Sequence, residues 1–281
     1  MAIISFYSSC MQETGNTISA IAYASYLGMT KNKKILLVST GLNDNTAVES
    51  LWPQEQNKKS GLFGPNTSSM AQNGIEELDR IVRSNRTTSE IITDYTRVAL
   101  KDRLEVLTNY IGEKKVFAEI QKNYAQIISL AGRAYETVIV DIDQNLSKEV
   151  QNEILQVSDV ILATTTQKLS NIEKLDEEIQ NQENTILDKS KTLIVLGKYD
   201  NSSKYNAKNI SRTLLKQKDV VNTIPYNHLL LEGAQEGRLI ENIDFLRKIK
   251  NRDENSLVIE ELKRLDEKIE NKVMEQQMRR R

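Results

Sequence analysis

Seven short runs rich in β-branched and aliphatic residues recur along the chain, and they constrain its fold more than any other feature. These predicted strands are Ala2–Tyr7, Lys34–Ser39, Arg103–Thr108, Thr137–Ile142, Asp159–Thr164, Thr192–Gly197 and Val220–Ile224. Several are continuously apolar, which is typical of strands covered on both faces. Because helical segments separate them, we predict an α/β fold, with a doubly wound, mainly parallel sheet of about seven strands and helices on both faces.

Segments in which apolar residues recur every three or four positions predict the helices. They are Thr17–Met29, Gly74–Ser84, Lys114–Arg133, Lys148–Val157, Asn171–Asn181, Asn206–Lys216 and Leu229–Gln235. The stretch from Pro53 to Asn73 shows no such period and is rich in Gly, Ser and Asn. We expect a long surface loop there, close to the sheet edge at which open α/β proteins bind ligands.

The end of the chain predicts a separate, charged helix. We expect an α/β domain over residues 1–250 and an amphipathic helix over 251–281, with a narrow apolar stripe formed by Val258, Leu262, Leu265, Ile269 and Val273. The stripe fits a helix packed on the domain, and it also fits a self-associating or partner-binding helix. Binding to a membrane surface is disfavoured because the segment is rich in glutamate and has no aromatic residue.

The composition excludes several classes of site. Cys10 is the one cysteine and His228 the one histidine, which argues against disulfide frameworks, multi-cysteine or His-rich metal sites, and Ser–His or Cys–His catalysis. A net charge of −1 gives no indication of nucleic-acid binding, although DNA binding stays open. No run approaches the roughly 20 apolar residues of a membrane span, and no signal-peptide pattern is present, so we predict a cytoplasmic protein.

The segment SSCMQETGNTISA, from Ser8 to Ala20, lies between the first predicted strand and the first predicted helix. A phosphate-binding loop has this position, and there glycines expose backbone N–H groups, a lysine contacts the phosphates and a Ser or Thr hydroxyl binds Mg²⁺. Here Cys10 replaces the first glycine and Asn16 replaces the lysine, while Gly15 and Thr17 match. Taken alone, the segment fits a plain strand-to-helix turn better than an altered phosphate loop.

A second feature favours the phosphate loop. The run Val138–Val140 places Asp141 at the carboxyl end of a buried strand, where a carboxylate can hold Mg²⁺. NLSKEV then begins a helix, for which Ser147 is the predicted N-cap.

The order of these parts resembles the ParA/MinD branch of the P-loop ATPases, over roughly residues 1–250. VIVDID, NLSKEV, SDVILATTTQ, VLGKYDNSSKYNAKNISR and IPYNHLLLEGAQEGRLI follow one another as the corresponding segments do in that family. The middle segment, GIEELDRIVRSNRTTSEIITDYTRVALKDRLEVL, is similar to the CpaE/TadZ-like members.

The resemblance implies an ATP or ADP site with Mg²⁺. Carried over residue by residue, the nucleotide would lie against Gln12, Glu13, Thr14, Gly15, Asn16, Thr17, Ile18, Pro225, Tyr226 and Asn227. Thr17 and Asp141 would hold the metal ion. The resemblance also implies a homodimer that binds a protein partner.

The chain departs from the family pattern where the chemistry takes place. Met11 and Asn16 replace the two lysines of the loop, and Glu13 adds a negative charge. Further along, Ser39 and Gly41 replace acidic residues after the second strand, Asp143-Gln144-Asn145 replaces the Pro-Pro turn, and Gly197 replaces the base-reading Asn. Cationic groups that face a transferring phosphoryl group are worth roughly 10³–10⁵ in rate. We therefore assign no catalytic residue.

These observations predict a positioning, partitioning or secretion/conjugation-assembly protein that acts by dimerisation and partner binding, with weak or absent ATP hydrolysis. One alternative is a nucleotide-free scaffold. Another is a genuine weak ATPase that takes its cation from Lys58 or Lys59 in the predicted loop.

Overall fold

The computed structural model describes residues 1–10, 14–53, 74–84, 88–180, 187–214, 221–249 and 254–279. Its strands are β1 (Ala2–Tyr7), β2 (Ile35–Ser39), β3 (Arg97–Leu100), β4 (Leu104–Leu107), β5 (Thr137–Asp141), β6 (Val160–Thr165), β7 (Thr192–Tyr199) and β8 (Val221–Pro225). They form one sheet in the order β3-β4-β2-β5-β1-β6-β7-β8, and every neighbouring pair except β3 with β4 is parallel. The predicted doubly wound, mainly parallel fold is confirmed.

The connections between these strands are largely helical. The helices are α1 (Asn16–Thr30), α2 (Thr46–Leu51), α3 (Gly74–Arg83), α4 (Lys114–Ile120), α5 (Tyr124–Ala134), α6 (Lys148–Val157), α7 (Leu169–Gln180), α8 (Ala207–Asn209), α9 (His228–Glu236), α10 (Leu239–Lys248) and α11 (Glu254–Arg279). Ser89–Tyr95 and Gln121–Asn123 are 3₁₀ turns, and Ile210–Leu214 is a π turn.

The structure adds a strand, changes two of the predicted helices, and adds the helices α2 and α10. The described part of the sheet has eight strands instead of seven, because the short, part-exposed β3 pairs with β4. The single helix predicted over Lys114–Arg133 is wrong, since a 3₁₀ turn divides it and Gln121 Oε1 there accepts the N–H of Ser147 at 3.1 Å. The helix predicted over Asn206–Lys216 is instead the short α8 followed by the π turn. The loop predicted from Pro53 to Asn73 lies, after Pro53, outside the described residues.

Apolar side chains fill both faces of the sheet. In β2, Leu36 and Val38 belong to one core, which α3 to α7 cover. The alternate residues Ile35 and Leu37 belong to the other core, which α1, α10 and α11 cover. This double coverage explains why the strands are continuously apolar.

The C-terminal helix α11 packs into the second core. Four residues of the apolar stripe are at most 1% exposed: Val258, Leu262, Leu265 and Ile269. Val273 is partly buried against the same core. Asp266 on the same helix accepts the Tyr23 hydroxyl at 3.0 Å and pairs with Lys31 Nζ at 2.8 Å. The apolar stripe of α11 therefore packs against the core of the same chain. None of the described helices combines the length and apolar character needed to cross a membrane.

Candidate nucleotide-binding site

The N-terminus of α1 faces the carboxyl edge of the sheet. Its N-cap residue, Gly15, has φ 73°, a left-handed conformation that glycine adopts without steric cost. The cap makes no side-chain hydrogen bond, and the first turn contains no acidic residue. Backbone N–H groups in such a position, together with the helix dipole, favour an anion. Met11, Gln12 and Glu13 lie outside the described residues, as do Lys58 and Lys59.

Asn16, which the sequence resemblance aligns with the P-loop lysine, directs its amide into hydrogen bonds with β1 and β5. Nδ2 donates to Asp141 Oδ1 at 2.9 Å and to the Phe6 carbonyl at 3.3 Å. The residue is buried, and its Oδ1 has no hydrogen-bond partner. A neutral amide held in this way supplies no positive charge to a phosphate. Its free oxygen is a ligand suited to a hard cation.

Asp141 and Thr17, the predicted metal ligands, lie together. The Asp141 carboxyl is buried at the end of β5, and it accepts hydrogen bonds from Thr17 and Asn16. Burial raises its pKa from 3.8 to about 7, the hydrogen bonds oppose this rise, and the negative charges of Asp44 and Asp143 add to it. Within the described part of the chain, no group of three or more His, Cys, Asp or Glu side chains is arranged to hold a metal. Thr17 and Asp141 nevertheless fit Mg²⁺ in a site that phosphate oxygens and water would complete.

The raised pKa of Asp141 predicts a pH-dependent gain in stability for Asp141→Asn. The folded chain binds a proton more tightly than the unfolded chain, so this carboxyl stabilises the fold at low pH and loses that contribution as the pH rises from about 4 to about 7. In Mg²⁺-free buffer, Asp141→Asn is expected to raise the free energy of unfolding by about 2 kcal/mol at pH 8 and by less at pH 5. Urea denaturation at both pH values measures this.

The matched control is Asp94→Asn, which changes an exposed carboxylate. It should leave the free energy of unfolding nearly unchanged at both pH values. A loss of stability in Asp141→Asn at pH 8 would contradict the interpretation of this carboxyl as a buried group that destabilises the apo fold.

The turn after Asp141 is held by neighbouring side chains. Thr40 Oγ1 donates to the Asp141 carbonyl and accepts the Asp143 N–H, both at 2.8 Å. Gln151 Nε2 donates to the Gln144 and Leu146 carbonyls, both at 3.1 Å. Ser147 Oγ accepts the Val150 N–H at 3.3 Å, so the predicted N-cap of α6 is confirmed.

This turn also contacts the beginning of the loop, because Gln144 Nε2 donates to the Cys10 carbonyl. Sequence reasoning missed Gln151 and Thr40. The sequence does contain a hint of the role of Gln151. It is a polar residue next to Val150 on the face of α6 that the apolar residues predict to be buried.

Five of the residues predicted to lie against a nucleotide come together, but they leave little space. Gly15, Ile18, Pro225, Tyr226 and Asn227 line a cleft of about 30 Å³. That volume holds one or two water molecules, whereas ligand pockets typically measure about 300–1,000 Å³.

The amide of Asn227 is already used in capping α9. Its Oδ1 accepts the Leu229 and Leu230 N–H groups at 2.9 and 3.4 Å. Its Nδ2 donates to Asn255 Oδ1 at 2.8 Å. The side chain of Asn227 is therefore an N-cap in this structure, with both ends of the amide occupied.

Gly197 and Lys198, at the end of β7, pack directly on the loop. A Cβ atom at Gly197 would lie 2.0 Å from the Thr14 carbonyl oxygen. The Lys198 side chain lies across Gly15, with Cγ 3.2 Å from the point where a Gly15 Cβ would stand. Nearer the start of the loop, Lys174 Nζ on α7 donates to the Ser9 carbonyl at 3.1 Å. Two lysines that sequence reasoning did not select thus flank the loop.

Comparison with known proteins finds similar structures and no similar sequence among the curated proteins. No protein-family model and no curated protein sequence matches the chain. A ParA family ATPase from Chlorobium tepidum superposes with a TM-score of 0.66, at 15% identity over 92% of this chain and 96% of that one. The chain has the fold of the ParA and MinD ATPases.

Two further structures with this fold were solved with nucleotide bound. The septum site-determining protein MinD from Pyrococcus horikoshii, complexed with Mg-ADP, has a TM-score of 0.56 at 16% identity over 93% of each chain. A plasmid partition protein from Borrelia burgdorferi, bound to AMPPNP, has a TM-score of 0.53 at 17% identity over 88% of this chain and 99% of that one. At sequence identity this low, the comparison shows a shared fold only. The chemistry of this chain has to be inferred from its own residues.

Proposed function

We propose that this chain is a ParA/MinD-like positioning, partitioning or secretion/conjugation-assembly protein of the CpaE/TadZ kind. It acts by homodimerisation and by binding a protein partner, and its ATP hydrolysis is weak or absent. The observation that carries the proposal is the Asn16 amide, which stands in place of the phosphate-binding lysine and bonds to Asp141. Removal of such a cation costs orders of magnitude in phosphoryl-transfer rate.

Any residual ATP or ADP site would rest on the backbone N–H groups at the start of α1 and on Thr17 and Asp141 toward Mg²⁺. These groups would bind and orient the phosphates and the metal ion. None of them replaces the positive charge of the missing lysine. Nucleotide binding would then serve as a switch for dimerisation, with little turnover.

Calorimetric titration with Mg-ATP, combined with light scattering on a sizing column, tests the proposal. Heat is expected only at high-micromolar nucleotide, together with a shift of the molar mass toward a dimer. Thr17→Ala should remove both effects, whereas Thr30→Ala, at the other end of α1, should remove neither. A monomeric mass under every condition would contradict the proposal.

A second candidate, a nucleotide-free scaffold, is favoured by the contact of Gly197 with Thr14 and by the small cleft beside Tyr226. Its signature in the same experiment is a dimer that forms without nucleotide, and no heat on titration. That result would overturn the proposal of a nucleotide-controlled switch. It would support a scaffold that dimerises and binds its partner without nucleotide.

A further inference from the structure

Lys198, the residue after Gly197 in β7, has a backbone conformation that lysine seldom adopts. Its φ is 49°, in the left-handed region that disfavours residues with a Cβ. The pairing of β7 with β8 shifts register between Leu196 and Tyr199. Such irregularities are rare in parallel pairs, and they often re-aim a side chain next to a functional site. The strand therefore departs from regular geometry at the residue that packs on the loop.

The side chain of Lys198 extends along the N-terminus of α1. Its Cγ lies 3.2 Å, and its Cε 3.8 Å, from the point where a Cβ of Gly15 would stand. The ammonium group is one bond beyond Cε, so it stands close to this end of the helix. The same side chain lines the cleft beside Ile18 and Ser19. Lys198 thus brings a positive charge to the helix end at which backbone N–H groups favour an anion.

The ammonium group of Lys198 is available to a ligand. Lys198 is exposed, and its side chain forms no ion pair or hydrogen bond with another described residue. Lys174, the other lysine beside the loop, is already engaged, because its Nζ donates to the Ser9 carbonyl at 3.1 Å. An anion that binds at the start of α1 would therefore gain a charge-assisted hydrogen bond from Lys198 without breaking one.

A buried oxygen at the same helix end also lacks a partner. Asn16 begins α1 and is 8% exposed, and its Oδ1 accepts no hydrogen bond from the described residues. Buried polar atoms are nearly always satisfied, so an orphan oxygen indicates an ion or ligand that belongs beside it. A carbonyl oxygen next to the Asp141 carboxyl suits Mg²⁺. The unpaired cation and the unpaired oxygen together point to a ligand that carries negative charge and a metal ion.

We propose that Lys198 supplies the phosphate-binding cation of this chain, and that its ligand is a Mg²⁺-bound polyphosphate. The charge comes from β7 instead of from the loop, where Asn16 stands in place of the lysine. The inference rests on the proposed function, since it concerns the same candidate site, and it names the residue that would hold the phosphate there. It concerns binding, and it assigns no step of hydrolysis to Lys198.

Calorimetric titration of the full-length protein with inorganic pyrophosphate and Mg²⁺ tests this assignment. Pyrophosphate has no base, so the small cleft beside Tyr226 does not limit its binding. Lys198→Gln removes the charge and keeps most of the side-chain length, and it should weaken binding by about tenfold or more. Lys198→Arg should keep most of the affinity. The matched control, Lys208→Gln, removes the charge of an exposed lysine that lines a different cavity, and it should leave the affinity unchanged.

Salt dependence separates a phosphate contact from a structural role of Lys198. Added KCl should weaken pyrophosphate binding more steeply in the wild type than in Lys198→Gln, because the variant has one charge pair fewer to screen. Urea denaturation should give the two proteins the same free energy of unfolding. Equal affinities of the wild type and Lys198→Gln for pyrophosphate would overturn the assignment. Absence of binding by the wild type at millimolar pyrophosphate would also overturn it.

The same titration with Mg-ADP distinguishes this inference from the proposed function. Binding of pyrophosphate that depends on Lys198, without binding of ADP, would support the phosphate-binding cation and contradict the nucleotide-controlled switch. Binding of ADP that is unchanged in Lys198→Gln would support the switch and overturn the role of Lys198.

Discussion

Replacing Gly197 by Asn, the base-reading residue of the family that the sequence resembles, is expected to destabilise the fold by about 3 kcal/mol. A Cβ at this position would lie 2.0 Å from the Thr14 carbonyl oxygen, which is a backbone atom that cannot rotate away. Either β7 or the loop must move to accommodate the side chain. Urea denaturation with circular dichroism measures the loss.

Two further variants identify the cause of this loss. Gly197→Ala carries the same Cβ without the amide, so it should cost nearly as much as Gly197→Asn. Gly41→Ala should cost less, because its added Cβ would lie 3.0 Å from the nearest atoms, Asp143 Oδ2 and Asp44 Cβ, instead of 2.0 Å from a backbone oxygen. Full stability of Gly197→Asn would show that the loop and β7 separate easily, and it would contradict the packing described here.

Leu262→Ala is expected to lower the free energy of unfolding by about 2–5 kcal/mol, the range for deleting a fully buried leucine side chain. Leu262 is 0% exposed on α11 and belongs to the core that α1 and α10 also cover. This loss is expected because α11 packs as part of the core of the domain. Chemical denaturation of the purified variant provides the measurement.

Met278→Ala is the matched control on the same helix, since Met278 is 75% exposed. It should change the free energy of unfolding by less than about 0.5 kcal/mol. Equal, small effects of both substitutions, together with early proteolysis of α11, would contradict the packing of this helix.

The central strands could be predicted from the sequence because burial on both faces leaves a continuous apolar run. β5 is such a case, and its burial is complete from Thr137 to Asp141. β3 has no such run, since its side chains are only partly buried at the edge of the sheet. The helices α2 and α10 were also missed. α2 has only six residues, whereas α10 does carry a helical apolar period, with Leu239, Ile243 and Leu246 at spacings of four and three, that the prediction overlooked.

The site could be predicted in part. The positions of Gly15, Thr17 and Asp141 follow from their places at the ends of β1 and β5, since parallel strands end at the same sheet edge. Two other features are the hydrogen bond between Asn16 and Asp141 and the packing of Lys198 on Gly15. Both join residues that are far apart in the sequence. No local pattern in the sequence encodes such contacts.

The central proposal is that this chain, which has the fold of the ParA and MinD ATPases, hydrolyses ATP weakly or not at all. Phosphate release from saturating Mg-ATP tests it most directly, with wild type and Asp141→Ala assayed side by side. The account predicts that the wild-type rate stays close to the buffer background and close to the rate of Asp141→Ala. Rapid release, orders of magnitude above background, that Asp141→Ala abolishes would contradict it.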